Sequence, residues 1–430
     1  MLQGFVWAGA GVALPSALAA CGKGPTVGPA GLARSGVTRD TGQLASRVGV
    51  VRAVQAFTGD LFDRFEAGPG NLVCSPYSVA GALAMTRNGA RGQTASEMDR
   101  VLHAPPLEEL NGGLNSLIQL VQSRAGEQVR ADGSKATISL DVANSLWGQR
   151  DTRWRQGFLD VLARNYGAGM HLVDYQRDPE ISRSMINGWT ADQTRGKIAQ
   201  LIPERALTTR TRLVLANAIY LKAPWEEPFE ESATSPRTFT RADRTRVQVE
   251  MMSKDLRQGE FASGAGWLAG RLRYAGRKLG MAVVVPDAGK TALVQDLLRG
   301  AGLGQIMDGF KPIASLRLQI PRWHFLARAQ LGEYLAALGM PTAFEDGKAD
   351  FSGMTTREHL HISRVLHQAI IAVDEAGTEA AAATAVAMDA TSASALPSVV
   401  LTANRPFFFI VHDIETATPL FIGRVSDPTA

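Results

Sequence analysis

The order of apolar and polar positions divides the chain into helical and extended segments from Val48 onward. The segment VGVVRAVQAFTGDLFDRFEA has apolar residues at helical spacing, which predicts an amphipathic helix ended by the Gly-Pro-Gly breaker at 68–70. Short helices are also predicted in SPYSVAGALAMTRNGARGQTASEMDRVLH, interrupted by glycines, and in LNSLIQLVQSRA. Strands are predicted where β-branched residues alternate or run together, in TISLDVANSLWGQR, RLVLANAIYLKA, KLGMAVVVP and SLRLQIPRWHF.

The sequence of these elements indicates a fold class. Helices cluster early, whereas strands come singly and in groups without a regular strand–helix–strand alternation. Such an order predicts an α+β fold with mixed or antiparallel sheets. The chain has 430 residues, of which 45% are hydrophobic, and can therefore bury a large core. No internal repeat is visible.

The N-terminal segment has the features of an export signal. MLQGFVWAGAGVALPSALAAC contains an apolar stretch too short for a membrane span and ends in small residues. Its last residues, Leu18 to Cys21, resemble the lipobox of bacterial lipoproteins, in which the cysteine is lipidated and becomes the new N-terminus. A departure is that no Lys or Arg precedes Lys23. We expect a signal peptide at 1–21, lipidation at Cys21, and an exported lipoprotein anchored to the membrane and facing the periplasm or cell exterior.

The next segment predicts a linker. Residues 22–47 are rich in Gly, Ala, Pro and Thr and lack a periodic apolar face, so we expect a flexible tether there and a single domain over 48–430. The second cysteine, Cys74, has no partner for a disulfide, and its apolar neighbours predict a small buried side chain.

Charge and motifs exclude several classes of function. The net charge is +4, and the basic residues are scattered rather than gathered into a nucleic-acid site. Glycine-rich phosphate loops, CxxC pairs, HExxH and GxSxG are all absent. His359 and His361 alternate on an extended stretch, but the sequence places no further ligands near them, so we predict neither a metal site nor a cofactor. The absence of these motifs does not exclude an enzyme, but it leaves room for a function without catalysis.

Several stretches, in order, resemble signatures of the serpin family. They are NLVCSPYSVAGALAMTRNGARGQT, INGWTADQTRGKIAQLIP, LANAIYLKAPWEEPF, HQAIIAVDEAGTEAAAAT and NRPFFFIVHDIETATPLFIGRVSDP. The resemblance runs from about Val48 to Pro428. It implies a single domain with three β-sheets, about eight or nine helices and an exposed reactive loop near the C-terminus, here 375–404.

The resemblance also implies a protease inhibitor rather than an enzyme. In this family the protease cleaves the reactive loop and forms an acyl-enzyme. The loop then inserts as a new strand in the largest sheet and carries the protease with it, releasing strain stored in the fold. The implied partner is a serine protease, and we expect the inhibitor to be a monomer.

The alternation of residues in EAGTEAAAATAVAMDAT, which starts at Glu375, is compatible with an inserting strand. If Thr378 points inward, the buried set is Thr378, Ala380, Ala382, Thr384, Val386, Met388 and Ala390. None of these is charged, while Glu379 and Asp389 point outward. No proline occurs between Gly377 and Leu396, as a central strand requires. Two alternatives are a surface helix, as in some non-inhibitory serpins, and a flexible linker.

The family resemblance assigns roles to individual residues. The hinge of the loop comprises Glu375, Gly377, Thr378, Glu379, Ala380, Ala381, Ala382, Ala383 and Thr384. The shutter, a hydrogen-bonded cluster under the main sheet, comprises Ser75, Ser78, Asn217 and His367, and the breach at the top of that sheet contains Trp225.

The cleaved bond is placed by counting along the loop. Counting from Glu375 gives Thr391–Ser392, whereas counting back from Pro406 gives a bond near Ala395. No Lys or Arg occurs between Glu379 and Asn404, and the small residues favour an elastase-like or subtilisin-like protease, with a cysteine protease as an alternative target. The segment LNSLIQLVQSRAGE is not basic, so no polyanion activator is predicted. The alternative is that the protein is a non-inhibitory serpin, which acts as a binding or chaperone-like surface lipoprotein.

Overall fold

The computed structural model describes residues 31–65, 70–299, 302–378 and 399–430. Within these ranges the chain forms nine α-helices. They are α1 (Leu44–Phe65), α2 (Pro76–Arg87), α3 (Gly92–Val101), α4 (Leu107–Gln122), α5 (Gln156–Tyr166), α6 (Pro179–Gln193), α7 (Thr291–Leu298), α8 (Gly302–Asp308) and α9 (Gly332–Leu338). Two 3-10 helices cover Glu231–Ala233 and Pro341–Phe344.

The strands follow in chain order. They are β1 (Gly31–Ala33), β2 (Leu72–Cys74), β3 (Gly126–Val129), β4 (Lys135–Gln149), β5 (Met170–Val173), β6 (Leu213–Pro224), β7 (Ser235–Thr240), β8 (Arg246–Arg257), β9 (Glu260–Gly264), β10 (Trp267–Arg273), β11 (Leu279–Pro286), β12 (Lys311–Pro312), β13 (Ser315–Pro321), β14 (Trp323–Gln330), β15 (Arg364–Val373), β16 (Gly377–Thr378), β17 (Val399–Thr402), β18 (Phe407–Asp413) and β19 (Pro419–Val425).

These strands form three sheets in the described part of the chain. The main sheet has the order β1-β5-β4-β6-β16-β15-β14, with β3 attached to β4. The second sheet has the order β12-β9-β10-β11-β18-β19-β2, and the third has the order β17-β13-β8-β7. The predicted α+β class with three sheets is confirmed, and so are the helices and strands predicted from periodicity.

Helix α2 lies at the centre of the molecule. All its residues from Pro76 to Thr86 are buried, because it packs between β4 and β6 of the main sheet and β19 of the second sheet. A helix that is buried on every side carries apolar or small residues all round, which the sequence PYSVAGALAMTR provides. The Ser75 side chain accepts a hydrogen bond from the Ser78 N–H and caps its first turn.

The main sheet is buried on both faces at its centre. Alternate residues of β6, including Leu215 and Ile219, face the largest apolar core, and the others, including Ala216 and Ala218, face a second cluster that contains Ile186 of α6. Because both faces are covered, β6 is apolar almost without interruption.

The second half of the predicted tether differs from the expectation of a flexible linker. Gly31–Ala33 pairs with β5 at the edge of the main sheet, and α1 begins at Leu44 rather than Val48. Glycines make room for this segment: a Cβ on Gly169 would lie 2.7 Å from the Ala33 carbonyl oxygen. Sequence periodicity cannot detect such packing because it depends on small residues far away in the chain.

Cys74 lies in the interior, as predicted. Its side chain is fully buried and forms no disulfide, and burial raises the pKa of its thiol. Among the described helices, none combines the length and apolar character needed to cross a membrane.

Candidate functional site

The main sheet opens at one end, between β6 and β15. We call the end of the sheet at Pro224 the upper end and the end at Leu213 the lower end. In the lower half the two strands are parallel neighbours, with pairs running from Arg364–Val214 to Ala369–Ile219. In the upper half they separate, and β16 lies between them, antiparallel to both.

The turn from β15 into β16 is fixed by a carboxylate and a glycine. The Asp374 carboxylate accepts hydrogen bonds from the N–H groups of Ala376 (2.9 Å) and Gly377 (3.1 Å). Burial raises the pKa of Asp374, although these two N–H groups oppose the rise. A Cβ on residue 377 would lie 2.4 Å from the Ala223 carbonyl oxygen, so only glycine fits against β6.

Glu375 anchors the turn to neighbouring elements. Its carboxylate accepts hydrogen bonds from Arg322 Nη2 at 2.6 Å and from Thr234 Oγ1 at 2.5 Å, and its carbonyl accepts the Phe229 N–H. Burial acts to raise the pKa of Glu375, but the bonds from Arg322 and Thr234 outweigh it, so the pKa lies below its ordinary value. Glu375 is therefore a charged anchor at neutral pH.

Thr378 is already inside the sheet. Its side chain is 1% exposed, and its hydroxyl lies 2.6 Å from the hydroxyl of Tyr274. The Tyr274 ring stacks on the indole of Trp225 with 4.6 Å between centroids. Trp225 in turn donates from Nε1 to the Asp374 carbonyl and from its backbone N–H to the Ala376 carbonyl. The buried indole thus holds both sides of the turn at the upper end.

A polar network crosses the closed middle of the sheet. The Ser75 N–H donates to His367 Nε2 at 3.0 Å, and His367 Nδ1 contacts Asn217 Oδ1. Asn217 Nδ2 donates to Ser78 Oγ at 2.5 Å and also contacts Asn144 Oδ1. Ser78 and Asn144 bond to each other in both directions, through Ser78 Oγ (2.8 Å) and the Ser78 carbonyl (3.0 Å). Every one of these groups has a partner, as buried polar atoms require.

His367 is neutral in this network. Its Nε2 accepts from a backbone N–H, so the ring proton lies on Nδ1 and is donated to Asn217. Burial lowers the pKa of His367 to about 3. Below the ordinary pKa of about 6.5 the unfolded chain binds a proton at His367, whereas the closed sheet keeps this residue neutral until about pH 3. The free energy of unfolding should therefore decrease as pH falls from about 6.5 toward 3.

A family model described as Serpin (serine protease inhibitor) matches residues 52–428. This match covers most of the chain, including the opening and the polar network described above.

The chain belongs to the serpin family.

Relatives and a solved structure agree with this assignment. A serpin-like protein of Thermococcus kodakarensis is 35% identical over 384 residues, covering 88% of this chain and 86% of the relative. The leukocyte elastase inhibitor of Equus caballus is 32% identical over 383 residues, covering 86% of this chain and 97% of the relative. The crystal structure of the thermophilic serpin tengpin in its native state has a TM-score of 0.81 and 26% identity, covering 93% of this chain and 100% of that one.

The structure brings the described site residues together in two places. Glu375, Gly377 and Thr378 of the predicted hinge meet Trp225 of the predicted breach at the upper end. Ser75, Ser78, Asn217 and His367, the predicted shutter residues, form one network in the middle of the sheet. By the strand rise, the two places are roughly 20 Å apart along β6. The remaining predicted site residues lie outside the described residues: Cys21, Glu379, Ala380, Ala381, Ala382, Ala383, Thr384, Thr391 and Ser392.

Five residues of the site were not predicted from the sequence. Asn144 belongs to the polar network, Asp374 fixes the turn into β16, and Tyr274, Arg322 and Thr234 contact the predicted hinge. Only Asn144 carried a local signal, because a buried amide in an otherwise apolar strand needs a partner. His359 is exposed, and His361 lies 3.6 Å from Asp346. No group of ligand-type side chains that could hold a metal occurs among the described residues.

Proposed function

We propose that this serpin inhibits a serine protease as a suicide substrate, by inserting its cleaved loop between β6 and β15. The observation that carries the proposal is that Gly377 and Thr378 already occupy the first positions of such a strand. The protease serine attacks the carbonyl carbon of the residue before the cleaved bond, the peptide bond breaks, and an acyl ester remains. Continued insertion would then carry the protease along with the loop and distort its active site, so that the ester is not hydrolysed.

If the loop inserts, the register of β16 would give the later residues of the loop their positions in the sheet. Thr378 pairs with Ala223 and Val373, so an antiparallel continuation puts Thr384 between Asn217 and His367 of the shutter. A small hydroxyl side chain at this position can hydrogen-bond to the amide and imidazole that now face each other. Insertion would thus separate the shutter residues without leaving their polar groups unpaired.

The same register matches the apolar residues of the loop to the core. Ala380, Ala382 and Val386 would pair with Leu221, Ile219 and Leu215, whose side chains face the largest apolar cluster. These positions accept small and apolar residues, and a charge among them would be buried without a partner.

The two charged residues of the inserting segment would meet positive charges. Continuing the register would put Glu379 opposite Lys222, on the other face of the sheet, and Asp389 level with Arg212, the residue just before β6 begins. A linker or a surface helix would have no reason to match its acids to these two positions. The pattern therefore favours the inhibitory function over the non-inhibitory binding function.

The proposed target is an elastase-like or subtilisin-like protease that cleaves Thr391–Ser392. Support comes from the small residues of the loop and from the similarity to leukocyte elastase inhibitors. The test is incubation of the purified protein with elastase, subtilisin and trypsin, followed by denaturing electrophoresis. An SDS-stable complex with elastase or subtilisin supports the proposal. Cleavage without a complex contradicts it and favours the non-inhibitory alternative.

We also propose that the protein is a monomeric, membrane-anchored lipoprotein that acts outside the cytoplasm. The support is the sequence Leu18-Ala19-Ala20-Cys21. Replacing Cys21 by serine should release the protein from the membrane fraction, because the thiol that carries the lipid is gone, and inhibition should be unchanged. Fractionation with a matched Cys74→Ser variant as control measures this. Wild-type protein in the soluble fraction after export would refute the anchor.

A further inference from the structure

The lower end of the main sheet carries a concentration of arginines. Four loop segments meet there, at 150–155, 174–178, 208–212 and 352–359, because each lies beside the ends of β4, β5, β6 or β15. Hydrogen bonds join them: the Arg150 N–H donates to the Val173 carbonyl, the Gln149 N–H to the Arg212 carbonyl, and the Thr152 hydroxyl to Glu358. We call the surface of these four loops the lower face.

The charges of the lower face are unbalanced. Its arginines are Arg150, Arg153, Arg155, Arg177, Arg210, Arg212 and Arg357, and its carboxylates are Asp151, Asp174, Asp178 and Glu358. These residues sum to a formal charge of +3, against a net charge of +4 for the whole chain. The lower face is therefore a positively charged surface.

Most of these arginines are free to bind a partner. All except Arg212 are exposed, and within the described part of the chain none of those six lies within ion-pair distance of a carboxylate. Three of the four carboxylates are already engaged: Asp174 accepts from Gln149 and the Arg177 N–H, Asp178 accepts from the Ile181 N–H, and Glu358 accepts from Thr152. Apart from Arg155, whose Nη1 donates to the Ser352 carbonyl, these exposed arginines present guanidinium groups to solvent that have no hydrogen-bond or ion-pair partner among the described residues.

The chain enters the domain at the same end. Gly31 pairs with Leu172, next to the Val173 carbonyl that binds Arg150. A lipid on Cys21 would be joined to Gly31 by a segment that spans at most about 35 Å when fully extended. The hinge lies at the opposite end of β6, roughly 36 Å away by the strand rise.

We propose that the lower face binds an anionic lipid surface, so that the upper end of the main sheet points away from the membrane. Arginine near such a surface is attracted by the negative headgroups, and each one strengthens binding about fivefold at moderate salt. The proposal rests on the arginines and does not require Cys21 to carry lipid, although a lipid there would hold the same end of the domain close to the membrane.

The test is co-sedimentation with lipid vesicles of the full chain, which the substitution Cys21→Ser keeps free of lipid. One set of vesicles contains equal parts phosphatidylcholine and phosphatidylglycerol, and the other contains phosphatidylcholine alone. We expect binding to the anionic vesicles only, weakened by salt. The triple variant Arg150→Gln, Arg153→Gln, Arg210→Gln should bind roughly a hundredfold more weakly. None of these three side chains makes a side-chain hydrogen bond in the described residues, so melting of the variant should match that of the parent.

A matched control changes the same number of exposed arginines elsewhere. The control is a triple variant in the β7–β8 hairpin of the third sheet, which removes the same charge: Arg237→Gln, Arg244→Gln, Arg246→Gln. This variant should retain binding within a fewfold. Equal weakening by both triple variants, equal binding to both vesicle types, or binding of a heparin fragment without vesicle binding would overturn the proposal. Protease inhibition in solution, measured alongside, should be the same in all variants, so a failure of the inhibitory mechanism leaves this test intact.

Discussion

Replacing Thr378 by arginine should convert the protein from an inhibitor into a substrate of its target protease. Thr378 is buried between β6 and β15, with its hydroxyl on Tyr274. An arginine there would place an unpaired charge in the apolar core at a cost of roughly several kcal/mol, so the hinge would stay out of the sheet. The bait bond is distant in the chain and should be cleaved normally. The protease should remain active, and no covalent complex should form.

The control for this change is Thr378→Val. Valine has the same shape as threonine and carries no charge, so it loses the bond to Tyr274 but can still enter the sheet. We expect Thr378→Val to trap protease near wild-type stoichiometry. Residual protease activity and band shifts in denaturing gels measure both variants. Trapping by Thr378→Arg at wild-type stoichiometry would show that this segment is not the start of the inserting strand.

Replacing Thr391 by arginine should create an inhibitor of trypsin. The wild-type loop has no Lys or Arg between Glu379 and Asn404, so a protease whose pocket requires a basic side chain finds no bond to attack there. Arginine at the proposed cleavage position supplies that side chain without changing the length of the inserting segment. The second-order rate of trypsin inhibition should rise from undetectable to measurable, while inhibition of elastase should fall.

The matched variant Ala395→Arg tests the other way of counting along the loop. Trypsin should cleave this variant too, but the acyl ester would then lie further along the loop than Thr391, so more of the loop would have to insert before the protease is displaced. We expect cleavage with little trapping. The opposite pattern, with trapping by Ala395→Arg and simple cleavage of Thr391→Arg, would place the bait bond near Ala395. Mass spectrometry of the fragment released by elastase locates the natural cut independently.

The sequence predicts those parts of the fold that depend on local periodicity. The helical spacing after Val48 and the β-branched runs of β4, β6 and β11 correspond to elements in the structure. The alternation after Glu375 could be assigned to two faces because a strand has a period of two residues. The resemblance to the serpin family predicted how these elements are arranged in three sheets. It also grouped Ser75 and Ser78 with Asn217 and His367.

Long-range contacts could not be predicted in this way. Tyr274 and Arg322 hold the hinge from strands and turns distant in the chain, and no local pattern distinguishes them from other residues of those segments. The packing of residues 31–43 depends on glycines such as Gly112, where a Cβ would lie 2.5 Å from the side chain of Gln43. The arginines of the lower face come from four separate loops, so only the fold shows that they form one surface.

If the proposed mechanism holds, the cleaved loop becomes a strand between β6 and β15. Hydrogen–deuterium exchange of the peptide covering residues 379–391, before and after cleavage by elastase, tests it most directly. After cleavage the amides of this peptide should be protected as strongly as those of β6 and β15, because each would donate to a neighbouring strand. Rapid exchange of the peptide in the cleaved protein, at the rate of an unstructured segment, would contradict the account.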